Sequence, residues 1–501
     1  MRNLSKSKIL AYLQCPKRLW LEVHRRTLLE DSAATKASYA SGHQVGEIAQ
    51  RLYDVEGDAT LIDWEAEGFA AGFARTREAI QLGAPVFEAG FQAEGALSLA
   101  DVLLPLEVGG ERAWRMVEVK SSTSIKDYHL ADAAVQSYVA KSAGVPLAGL
   151  ALARVDSSWV YPGGGDYRGL LVEEDVTERA LSREDEVRGW IESAHRTVAE
   201  PSEPERRTGK HCHEPYDCGF LKYCQSQEPQ AEHPVDWLPR RSGKLKQHLA
   251  ANGITEMRDV PDELLNATQQ RVKTATLSGE PYFDREGAAR ALSRYTPPAC
   301  FMDFETIMFA VPIWAGTRPY QQIPFQFSVH RMEQPGELGH YEFLDLSGND
   351  PSEPFARALI AACGKQGPIF VYNAGFETAR LRELAERFPE MADDLLALNE
   401  RVVDLLPIAQ THYYHPSQKG SWSIKAVLPA MYPEEGYDQL DGVKDGGMAM
   451  EAYISAITEA CPATKAALHR ELLAYCEKDT YALLQITIKI MSAWKKSPRI
   501  G

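Results

Sequence analysis

Residues 87–120 read FEAGFQAEGALSLADVLLPLEVGGERAWRMVEVK, and the alternation of apolar and polar side chains predicts β-strands. The Gly-Gly pair at 109–110 separates two alternating runs, which is typical of a β-hairpin turn. The second run places Glu118 and Lys120 on one face of its strand, because successive side chains point to opposite faces. Asp101 lies on the partner strand. We therefore expect two carboxylates and a lysine to converge on this hairpin.

The converging groups have the chemistry of a metal-dependent hydrolytic site. Carboxylate oxygens are the ligands that Mg²⁺ and Mn²⁺ prefer. The ammonium group of Lys120 can orient or deprotonate a water molecule, or stabilise the charge that develops on a phosphate. Gln136 lies on a helix predicted over 127–143 and adds a polar side chain to the set. The alternative is a salt bridge across the hairpin surface, which is common for a Glu-x-Lys pattern.

The composition is that of a globular chain without a polybasic character. Its 501 residues suggest several domains, at roughly 100–200 residues per domain. Lys and Arg number 54 against 70 Asp and Glu, and the formal net charge of −16 excludes a histone-like coat but not a local basic groove. No run approaches the roughly 18 apolar residues of a membrane span, and the N-terminal stretch lacks the apolar core of a signal peptide. We expect a cytoplasmic protein without a membrane partner.

Periodicity along the chain predicts an α/β multidomain protein. A strand at about 147–155 is expected after the hairpin and its helix, whereas the Pro- and Glu-rich stretch 227–241 is typical of a linker. From residue 296 onwards strands and helices alternate, as in an α/β domain. The predicted parts are a mixed domain at 1–226 that begins with a helical region at 4–54, a linker and helical bridge at 227–296, and a second α/β domain at 297–501.

The cysteines are unevenly distributed. Three occur in the stretch KHCHEPYDCGFLKYC, with five residues between neighbours, and a fourth stands alone near the N-terminus. Four such thiols suit either zinc or an iron–sulfur cluster, although the spacing lacks the Cys-x-x-Cys pattern of zinc ribbons. His211 and His213 flank the cluster as substitute ligands or as surface side chains. Eight cysteines are too few for a disulfide scaffold, and we expect the four outside the candidate site to be small buried hydrophobic residues. The candidate ligands are Cys15, Cys212, Cys218 and Cys224, and the others are Cys300, Cys363, Cys461 and Cys476.

A second group of acidic residues lies in the C-terminal half. Asp303 and Glu305 share one face of the predicted strand FMDFET. Glu377 follows the buried strand PIFVY at the junction with a helix, where open α/β sheets build their sites. Tyr475 and Asp479 are four residues apart and lie on one helical face. Four converging carboxylates would repel one another without cations, so the set implies a two-metal site with ions roughly 3.5–4 Å apart.

The first group resembles the PD-(D/E)XK nucleases of the RecB type. The resemblance rests on ADVLL, on VEVKSS and on the following helix with Gln136 and Tyr138. The stretch CPKRLWL and the distant three-cysteine cluster are similar to RecB-like exonucleases with a 4Fe–4S cluster, such as AddB and the CRISPR-adaptation exonucleases. Over residues 1–226 the resemblance implies that Asp101 and Glu118 bind a catalytic metal ion. It also implies that the four candidate cysteines hold a 4Fe–4S cluster, rather than zinc, which staples the two ends of the domain together.

Two positions depart from the RecB-like pattern. The family usually carries a metal-binding His in a Gly-x-x-x-His pattern, whereas the aligned position here is Gly46, and His43 lies almost one helical turn earlier. His43 or Glu47 could substitute, or His43 could be a surface side chain. The family's Gln-x-x-x-Tyr is here Gln-Ser-Tyr, which favours Gln136 over Tyr138 as a site residue. A site without its histidine would be slow, differently metallated or inactive.

The second group resembles the DnaQ-like (DEDD) 3′–5′ exonucleases, which have an RNase H-like fold. Their motifs Asp-x-Glu, Asn-Ala-x-Phe-(Asp/Glu) and Tyr-x-x-x-Asp occur here in order. The resemblance implies that Tyr475 orients the attacking water and that four carboxylates bind Mg²⁺ or Mn²⁺. Glu377 stands where the family usually has Asp, set one residue further along by Gly375. Asp404 matches a further acidic position and is expected to be structural or auxiliary. The implied metal ligands are Asp303, Glu305, Glu377 and Asp479.

Taken whole, the chain resembles a family of large bacterial proteins that fuse an iron–sulfur RecB-like nuclease to a DnaQ-like exonuclease. The resemblance implies a metal-dependent exonuclease that acts on single-stranded DNA or DNA ends in repair or defence. It also allows for a protein partner such as a helicase. The alternatives are a single-site exonuclease whose RecB-like domain only clamps DNA, an exonuclease that acts on RNA, and a scaffold without activity. Basic residues at 240–246 could follow a phosphate backbone, and Trp314 and Tyr320 could either stack on bases or pack in a core or lid.

Overall fold

The computed structural model describes residues 3–491, apart from the side chains of Ala33 and Ala34. The chain divides into two compact units. The first unit comprises Met1–Pro229 and Met308–Gln321, and the second unit comprises Gln230–Ile307 and Gln322–Gly501. Each combines sheets with helices, so the predicted α/β class is confirmed at that level. Within the described range, no helix combines the length and the apolar character that crossing a membrane requires.

A seven-stranded mixed sheet forms the centre of the first unit. Its strands are β1 (Leu4–Ser5), β2 (Thr60–Leu61), β3 (Val86–Ala93), β4 (Ala96–Val108), β5 (Glu111–Lys120), β6 (Leu147–Val155) and β7 (Leu171–Asp175). They follow the order β2-β3-β4-β5-β6-β7, and β1 pairs with β4. The predicted hairpin is confirmed, since β4 and β5 are antiparallel. Gly109 and Gly110 form its turn with φ values of 62° and 84°, which glycine adopts without steric cost.

Eight helices of the first unit surround this sheet within the described residues. They are α1 (Lys6–Gln14), α2 (Pro16–His24), α3 (Ala33–Tyr53), α4 (Trp64–Leu82), α5 (Asp127–Ser142), α6 (Thr177–Leu181), α7 (Glu184–Ala199) and α8 (Leu221–Ser226). Helix α5 connects the parallel strands β5 and β6 and packs against both the sheet and neighbouring helices. Small side chains such as Ala133 and Ala134 allow this close packing on several sides. Two polar residues of α5, Asp132 and Gln136, are therefore also buried and need polar partners.

A five-stranded sheet forms the centre of the second unit, beside a short two-stranded ribbon. The sheet strands are β9 (Ala299–Ile307), β10 (Ile323–Gln334), β11 (Glu337–Leu344), β12 (Ile369–Val371) and β13 (Val402–Asp404), and the ribbon pairs β8 (Tyr282–Phe283) with β14 (Tyr413–Tyr414). The sheet order is β11-β10-β9-β12-β13. Strands β9, β10 and β11 form an antiparallel meander, and β12 and β13 continue the sheet in parallel with β9.

Helices cover both faces of this sheet. They are α9 (Gly243–Ala251), α10 (Ala267–Ser278), α11 (Arg285–Leu292), α12 (Ser352–Cys363), α13 (Gly375–Arg387), α14 (Ala392–Glu400), α15 (Leu406–His412), α16 (Ile424–Met431), α17 (Gly446–Thr458) and α18 (Pro462–Ile490). Side chains alternate along β10: Phe327 contacts Phe355 of α12, whereas Ser328 contacts Thr480 of α18 at 2.7 Å. Ser328 is directly opposite Asp303 in the register. Helix α18 therefore covers the face of β9 that carries the predicted acidic pair.

The segment that the sequence predicts as a separate bridge belongs to the core of the second unit. Val235, Leu245 and Val272 share one hydrophobic cluster with Phe301 and Phe370 of the central strands. Short helices are marginal on their own, and an apolar face needs a partner that buries it. The sheet of the second unit supplies that partner, which is why helices α9 to α11 fold with it.

Candidate functional site

The β4–β5 pairing brings Asp101 and Glu118 together in the first unit. Their neighbours Val102 and Val117 are directly opposite one another in the register. Asp101 Oδ2 accepts a hydrogen bond from the backbone N–H of Val119 at 2.7 Å, which fixes the carboxylate against β5. Glu118 is only 2% exposed. The sheet thus holds one carboxylate from each strand of the hairpin at the same place.

Two lysines contact Glu118. Nζ of Lys120 lies 2.7 Å and Nζ of Lys6 lies 2.8 Å from the same oxygen, Oε1. Both ammonium groups also contact Asp132 of α5, Lys6 at 3.0 Å. Gln136, one turn further along α5, donates a hydrogen bond to Glu118 Oε2 at 2.5 Å. The amide oxygen of Gln136 is buried and has no hydrogen-bond partner among the described residues.

Burial and charge set the protonation states of this group. Burial, together with the charge of Glu118, raises the pKa of Asp101 well above its usual range. Burial acts in the same direction on Glu118, but Lys120 and Lys6 outweigh it and hold the pKa of Glu118 far below its usual range. Burial opposes the charged form of both lysines, yet Asp132 and Glu118 raise their pKa values. Both lysines and Glu118 are therefore charged at neutral pH.

Helix α3 carries the residues that the sequence offers in place of the family's histidine. His43 and Glu47 are exposed, and a side chain at Gly46 would meet open space. Burial raises the pKa of Glu88 on β3, with a further contribution from Glu118, and the positive charges of Lys6 and His43 oppose that rise.

The four candidate cysteines line one cavity in the first unit. One lies between α1 and α2, and the other three lie on α8 and the loop before it. The backbone N–H of Cys218 donates to the carbonyl of Cys212 at 2.8 Å. Gln14 of α1 holds the loop by donating to the carbonyls of His211 and Tyr216 at 2.8 and 2.7 Å. The N-terminal helices and residues 210–226 therefore meet at this cavity, as the resemblance implies.

Positive side chains surround these thiols. Lys17, Arg18 and Arg206 line the same cavity. Burial raises the pKa values of the thiols at 212 and 218, and that of Cys224 to about 11. Among the described side chains, the groups whose ligand atoms lie within 4.8 Å of one another do not include this set of cysteines.

In the second unit, Asp303, Glu305 and Asp479 come together as predicted. One carboxylate oxygen from each lies within 4.8 Å of the other two. Asp303 and Glu305 extend from one face of β9, and Asp479 lies on α18, which packs on that face. Glu305 and Asp479 are buried, with 8% and 6% exposure. A strand and a helix thus build one acidic centre from residues that are more than 170 positions apart in sequence.

Two tyrosines and a lysine border this centre. Tyr437, which precedes α17, donates a hydrogen bond to Asp479 Oδ1 at 2.5 Å. Tyr475 lies one turn before Asp479, and its hydroxyl accepts a hydrogen bond from Lys425 Nζ at 3.0 Å. The ammonium of Lys425 also lies 4.8 Å from the centre of the Tyr475 ring. Lys425 therefore fixes the hydroxyl that the resemblance assigns to the attacking water.

Glu377 lies in the first turn of α13 and is 3% exposed. Its Oε2 atom has no hydrogen-bond partner within residues 3–491, and its charge raises the pKa of Asp303. The chain enters α13 through Asn373, whose φ of 71° is in the left-handed region that Asn tolerates. Asp404 accepts hydrogen bonds from the backbone N–H groups of Asn373 and Leu406, both at 2.9 Å. These two hydrogen bonds give Asp404 a structural contribution, and its auxiliary role stays a prediction.

Burial raises the pKa values of the four carboxyl groups that are the implied metal ligands in the second unit. The pKa of Asp303 is well above its usual range, because burial is reinforced by Asp479 and Glu305. Burial raises the pKa of Glu305 to about 8, that of Glu377 to about 7 and that of Asp479 to about 6. The positive charge of Lys425 opposes the rise at Glu305 and Asp479. Such a set is unfavourable when ionised unless cations neutralise it.

The acidic centre opens into a cavity of about 460 Å³. This volume falls in the range of pockets that hold a small molecule or part of a polymer. Acidic, aromatic and apolar residues line the cavity. Its lining includes Asp303, Glu305, Tyr372, Asn373, Leu406, Trp422, Lys425, Tyr475 and Asp479.

Other predicted positions have simpler roles. Trp314 is 7% exposed, and the Tyr320 hydroxyl donates to the carbonyl of Ser121 at 2.5 Å inside the first unit. Between base stacking and packing, these contacts favour packing. Tyr138 is 6% exposed in the hydrophobic core of the first unit, whereas Gln136 reaches the site.

Most of the remaining predicted surface and core positions are confirmed. Arg241 pairs with Asp236 at 2.6 Å, and Lys244 and Lys246 are exposed on α9. His213 is exposed beside Asp217, whereas His211 Nε2 lies 3.6 Å from a cysteine sulfur. The prediction that Cys461 is buried is wrong, because it lies in the exposed loop that starts α18. The buried ones are Cys300, Cys363 and Cys476.

Sequence reasoning missed four residues that contact the two candidate sites. Asp132 precedes Gln136 by four positions on a predicted helix, so helical spacing already puts it on the same face. Lys6, Lys425 and Tyr437 follow no pattern that relates them to a site. Their positions depend on tertiary packing between elements distant in the chain.

Comparison with known proteins adds one match. A family described as "Domain of unknown function (DUF2779)" matches residues 300–423. The matched part runs from β9 to the residue before α16 and includes three of the four implied metal ligands, but not Asp479. No curated protein matches the chain. The family match thus covers much of the central sheet of the second unit and carries no statement of activity.

Proposed function

We propose that the second unit is a metal-dependent 3′–5′ exonuclease with single-stranded DNA or DNA ends as its substrate. The proposal is carried by the cluster of Asp303, Glu305 and Asp479, with a buried Glu377 beside it whose Oε2 has no partner among the described residues. Hard divalent cations suit four such carboxylates. An antiparallel meander extended by two parallel strands supports an RNase H-like fold of the DnaQ-like type.

The chemistry follows from the groups around this cluster. Mg²⁺ or Mn²⁺ ions held by the four carboxylates would polarise the scissile phosphate and lower the pKa of the attacking water. Tyr475 is suited to orient that water, because Lys425 holds its hydroxyl in place. Tyr437 in turn holds Asp479 by a hydrogen bond. Tyr372, which is half-buried and lines the cavity, would offer an aromatic surface for the terminal base.

We propose a second hydrolytic site of the PD-(D/E)XK type in the first unit. Asp101 and Glu118 would bind a divalent cation, Lys120 would stabilise charge on the phosphate, and Gln136 positions Glu118. The hairpin β4–β5, followed by α5 and the parallel strand β6, supports that fold. Positive side chains line the cavity of the four cysteines and would offset the negative charge of a cysteine-bound metal group, and the resemblance favours a 4Fe–4S cluster over zinc for that group.

Two observations favour the alternative in which the first unit only binds DNA and does not cut it. Glu118 contacts two ammonium groups, those of Lys120 and Lys6. The second ammonium would compete with a divalent cation for the same carboxylate. The family's histidine position is also Gly46, which offers no ligand. A unit of this kind would contribute the local positive side chains near the cysteines and a cluster-stapled fold, but no catalysis.

The test is degradation of end-labelled single-stranded DNA in the presence of Mn²⁺. We expect Asp303→Asn to lower the rate of digestion from the 3′ end by roughly 100-fold or more, the scale seen when a transition-state charge loses one stabilising group. Asp393→Asn, at an exposed position of α14, is the matched control and should leave the rate unchanged. Equal rates for the wild type and Asp303→Asn would contradict the exonuclease proposal.

The same assay separates one active site from two. If Asp101→Asn and Glu118→Gln both abolish a separate activity, such as digestion from the other end, the first unit is a nuclease. If neither changes any rate, the first unit is a clamp. If the wild type does not digest DNA, the same variants are tested on RNA. Digestion of RNA by the wild type and its loss in Asp303→Asn would mean that the second unit is an exonuclease with RNA as its substrate. No digestion of either polymer would refute the proposal.

A further inference from the structure

Two histidines face one another across the outer hairpin of the second unit, which is formed by β10 and β11. His330 of β10 and His340 of β11 are directly opposite in the antiparallel register, and their ring centres are 4.6 Å apart. Glu477 of α18 completes a group in which one potential ligand atom of each residue lies within 4.8 Å of the other two. Imidazole and carboxylate ligands in this combination are typical of zinc sites.

Hydroxyl groups hold both rings in position. Nδ1 of His330 contacts the Thr480 hydroxyl at 2.9 Å, and Nε2 of His340 contacts the Ser328 hydroxyl at 2.9 Å. The two hydroxyls contact each other at 2.7 Å. Each imidazole therefore uses one nitrogen in this network and keeps the other for a ligand bond. Histidines that bind metals commonly have such an outer hydrogen bond, which fixes the tautomer and the orientation of the ring.

The surroundings also suit a cation. Nδ1 of His340 faces Glu477 Oε1 at 3.9 Å, too far for a hydrogen bond but close enough for both atoms to bind one ion. The carboxylate of Glu477 is half exposed, so an ion and a coordinating water can enter from solvent. Burial keeps His330 neutral by lowering its pKa to about 4, and a neutral imidazole is the form that binds metals.

We propose that His330, His340 and Glu477 form a second metal site in this unit, which takes zinc or a similar first-row transition cation, with water as the fourth ligand. Its ligands differ in kind from those of the acidic centre, since imidazole favours zinc whereas an all-carboxylate set favours Mg²⁺ or Mn²⁺. Glu477 and Thr480 flank Asp479 on α18. An ion at this site would therefore stabilise the helical turn that carries a ligand of the acidic centre. The site itself does not depend on the proposed nuclease activity.

The test is a zinc titration followed by calorimetry, with excess Mg²⁺ present to occupy the acidic centre. We expect the wild type to bind one more equivalent of zinc than His340→Gln or Glu477→Gln. His469→Gln, a histidine on the same helix outside the group, is the matched control and should bind as the wild type does. Any zinc at the cysteines contributes equally to all four proteins. His330 is left intact because its ring is buried and its replacement could unfold the unit.

A second readout uses Co²⁺ in place of zinc. The wild type and His469→Gln should give the visible absorption of nitrogen- and oxygen-bound Co²⁺, and the two site variants should lack it. Equal melting temperatures of the zinc-free proteins would establish that the variants are folded. If both site variants bind as much zinc and Co²⁺ as the wild type, the proposal is wrong. Neither readout requires digestion of nucleic acid, so failure here and failure of the exonuclease assay are distinguishable.

Discussion

Individual carboxyl groups in the acidic centre destabilise the fold when they are ionised without a cation. The folded-state pKa values of Glu305, Glu377 and Asp479 are about 8, 7 and 6, whereas unfolded carboxyl groups titrate near about 4. A group whose pKa is raised in the folded state binds its proton more tightly there than in the unfolded chain. The contribution of these three groups to the free energy of unfolding of the metal-free protein should therefore fall as the pH rises from about 4 towards 8.

This argument predicts the effect of Asp303→Asn on stability. We expect the variant to have a higher urea midpoint than the wild type at pH 8 in EDTA, and nearly the same midpoint at pH 5. One pKa unit corresponds to about 1.4 kcal/mol, so the gain at pH 8 should be of the order of one to a few kcal/mol. Excess Mg²⁺ should reverse the order, since only the wild type has the full ligand set. A variant that is less stable than the wild type at both pH values would show that Asp303 is a structural residue.

At the scale of residues, the sequence predicts which side chains share a face of one strand or one helix, because this depends only on their spacing along the chain. Asp303 and Glu305 alternate on a strand, and Tyr475 and Asp479 are one helical turn apart, so their shared faces follow from the periods of the two elements. Lys425 reaches Tyr475 from a helix about 50 positions earlier. Nothing local in the sequence relates such a pair, because the contact exists only once α16 and α18 have packed.

At the scale of elements, the four cysteines lie on segments that are distant in sequence and that polar and aromatic contacts also hold together. Residues 210–226 contain only short helical turns, and Gln14 and the cluster of Trp20, Leu21 and Phe220 provide much of their attachment to α1 and α2. A cluster bound there would replace weak local contacts with covalent metal–sulfur bonds. It would act like a cross-link between distant positions, which removes conformational entropy from the unfolded chain.

The element scale therefore predicts a specific effect of Cys218→Ala. We expect the purified variant to lose its iron and its visible charge-transfer absorption, and to become sensitive to proteolysis within residues 205–230. Cys461→Ser is the matched control, because that thiol is exposed and outside the group. Cleavage would be followed by mass spectrometry of the fragments. Unchanged iron content in Cys218→Ala, or iron replaced by stoichiometric zinc in the wild type, would contradict an iron–sulfur cluster.

Helices and strands with strong periodicity can be predicted from the sequence, but the unit to which each of them belongs cannot. The hairpin at 87–120 and the helix that became α5 match the pattern of their side chains closely. The helices over 242–295 were recognised as helices, but their inclusion in the second unit depends on Val272 and similar residues that pack against β9 and β12. An apolar helix face indicates that a partner exists, without indicating which element the partner is.

For the whole molecule, a formal net charge of −16 opposes binding to a polyanion. A strand of DNA must therefore be held by a few local positive groups, and its affinity should fall steeply with salt. On α9, Lys244 and Lys246 are exposed, whereas the preceding Arg241 is engaged with Asp236. The two lysines are consequently the members of this basic stretch that are best able to contact phosphates.

Charge reversal at these lysines tests that reasoning. In an Asp303→Asn background without divalent cations, which prevents digestion at either candidate site, we expect Lys244→Glu with Lys246→Glu to weaken single-stranded DNA binding. The slope of log affinity against log salt should become shallower by about 0.7 for each phosphate contact that is lost. Lys365→Glu with Arg470→Glu, at two other exposed positions of the same unit, changes the net charge by the same amount and is the control for net charge alone. If all three proteins share one slope, the basic residues at 240–246 are solvated side chains and the strand is held elsewhere. If the slope changes only in the double variant, α9 contacts the substrate. The segment that the sequence predicts as a linker and helical bridge, residues 227–296, then takes part in binding nucleic acid.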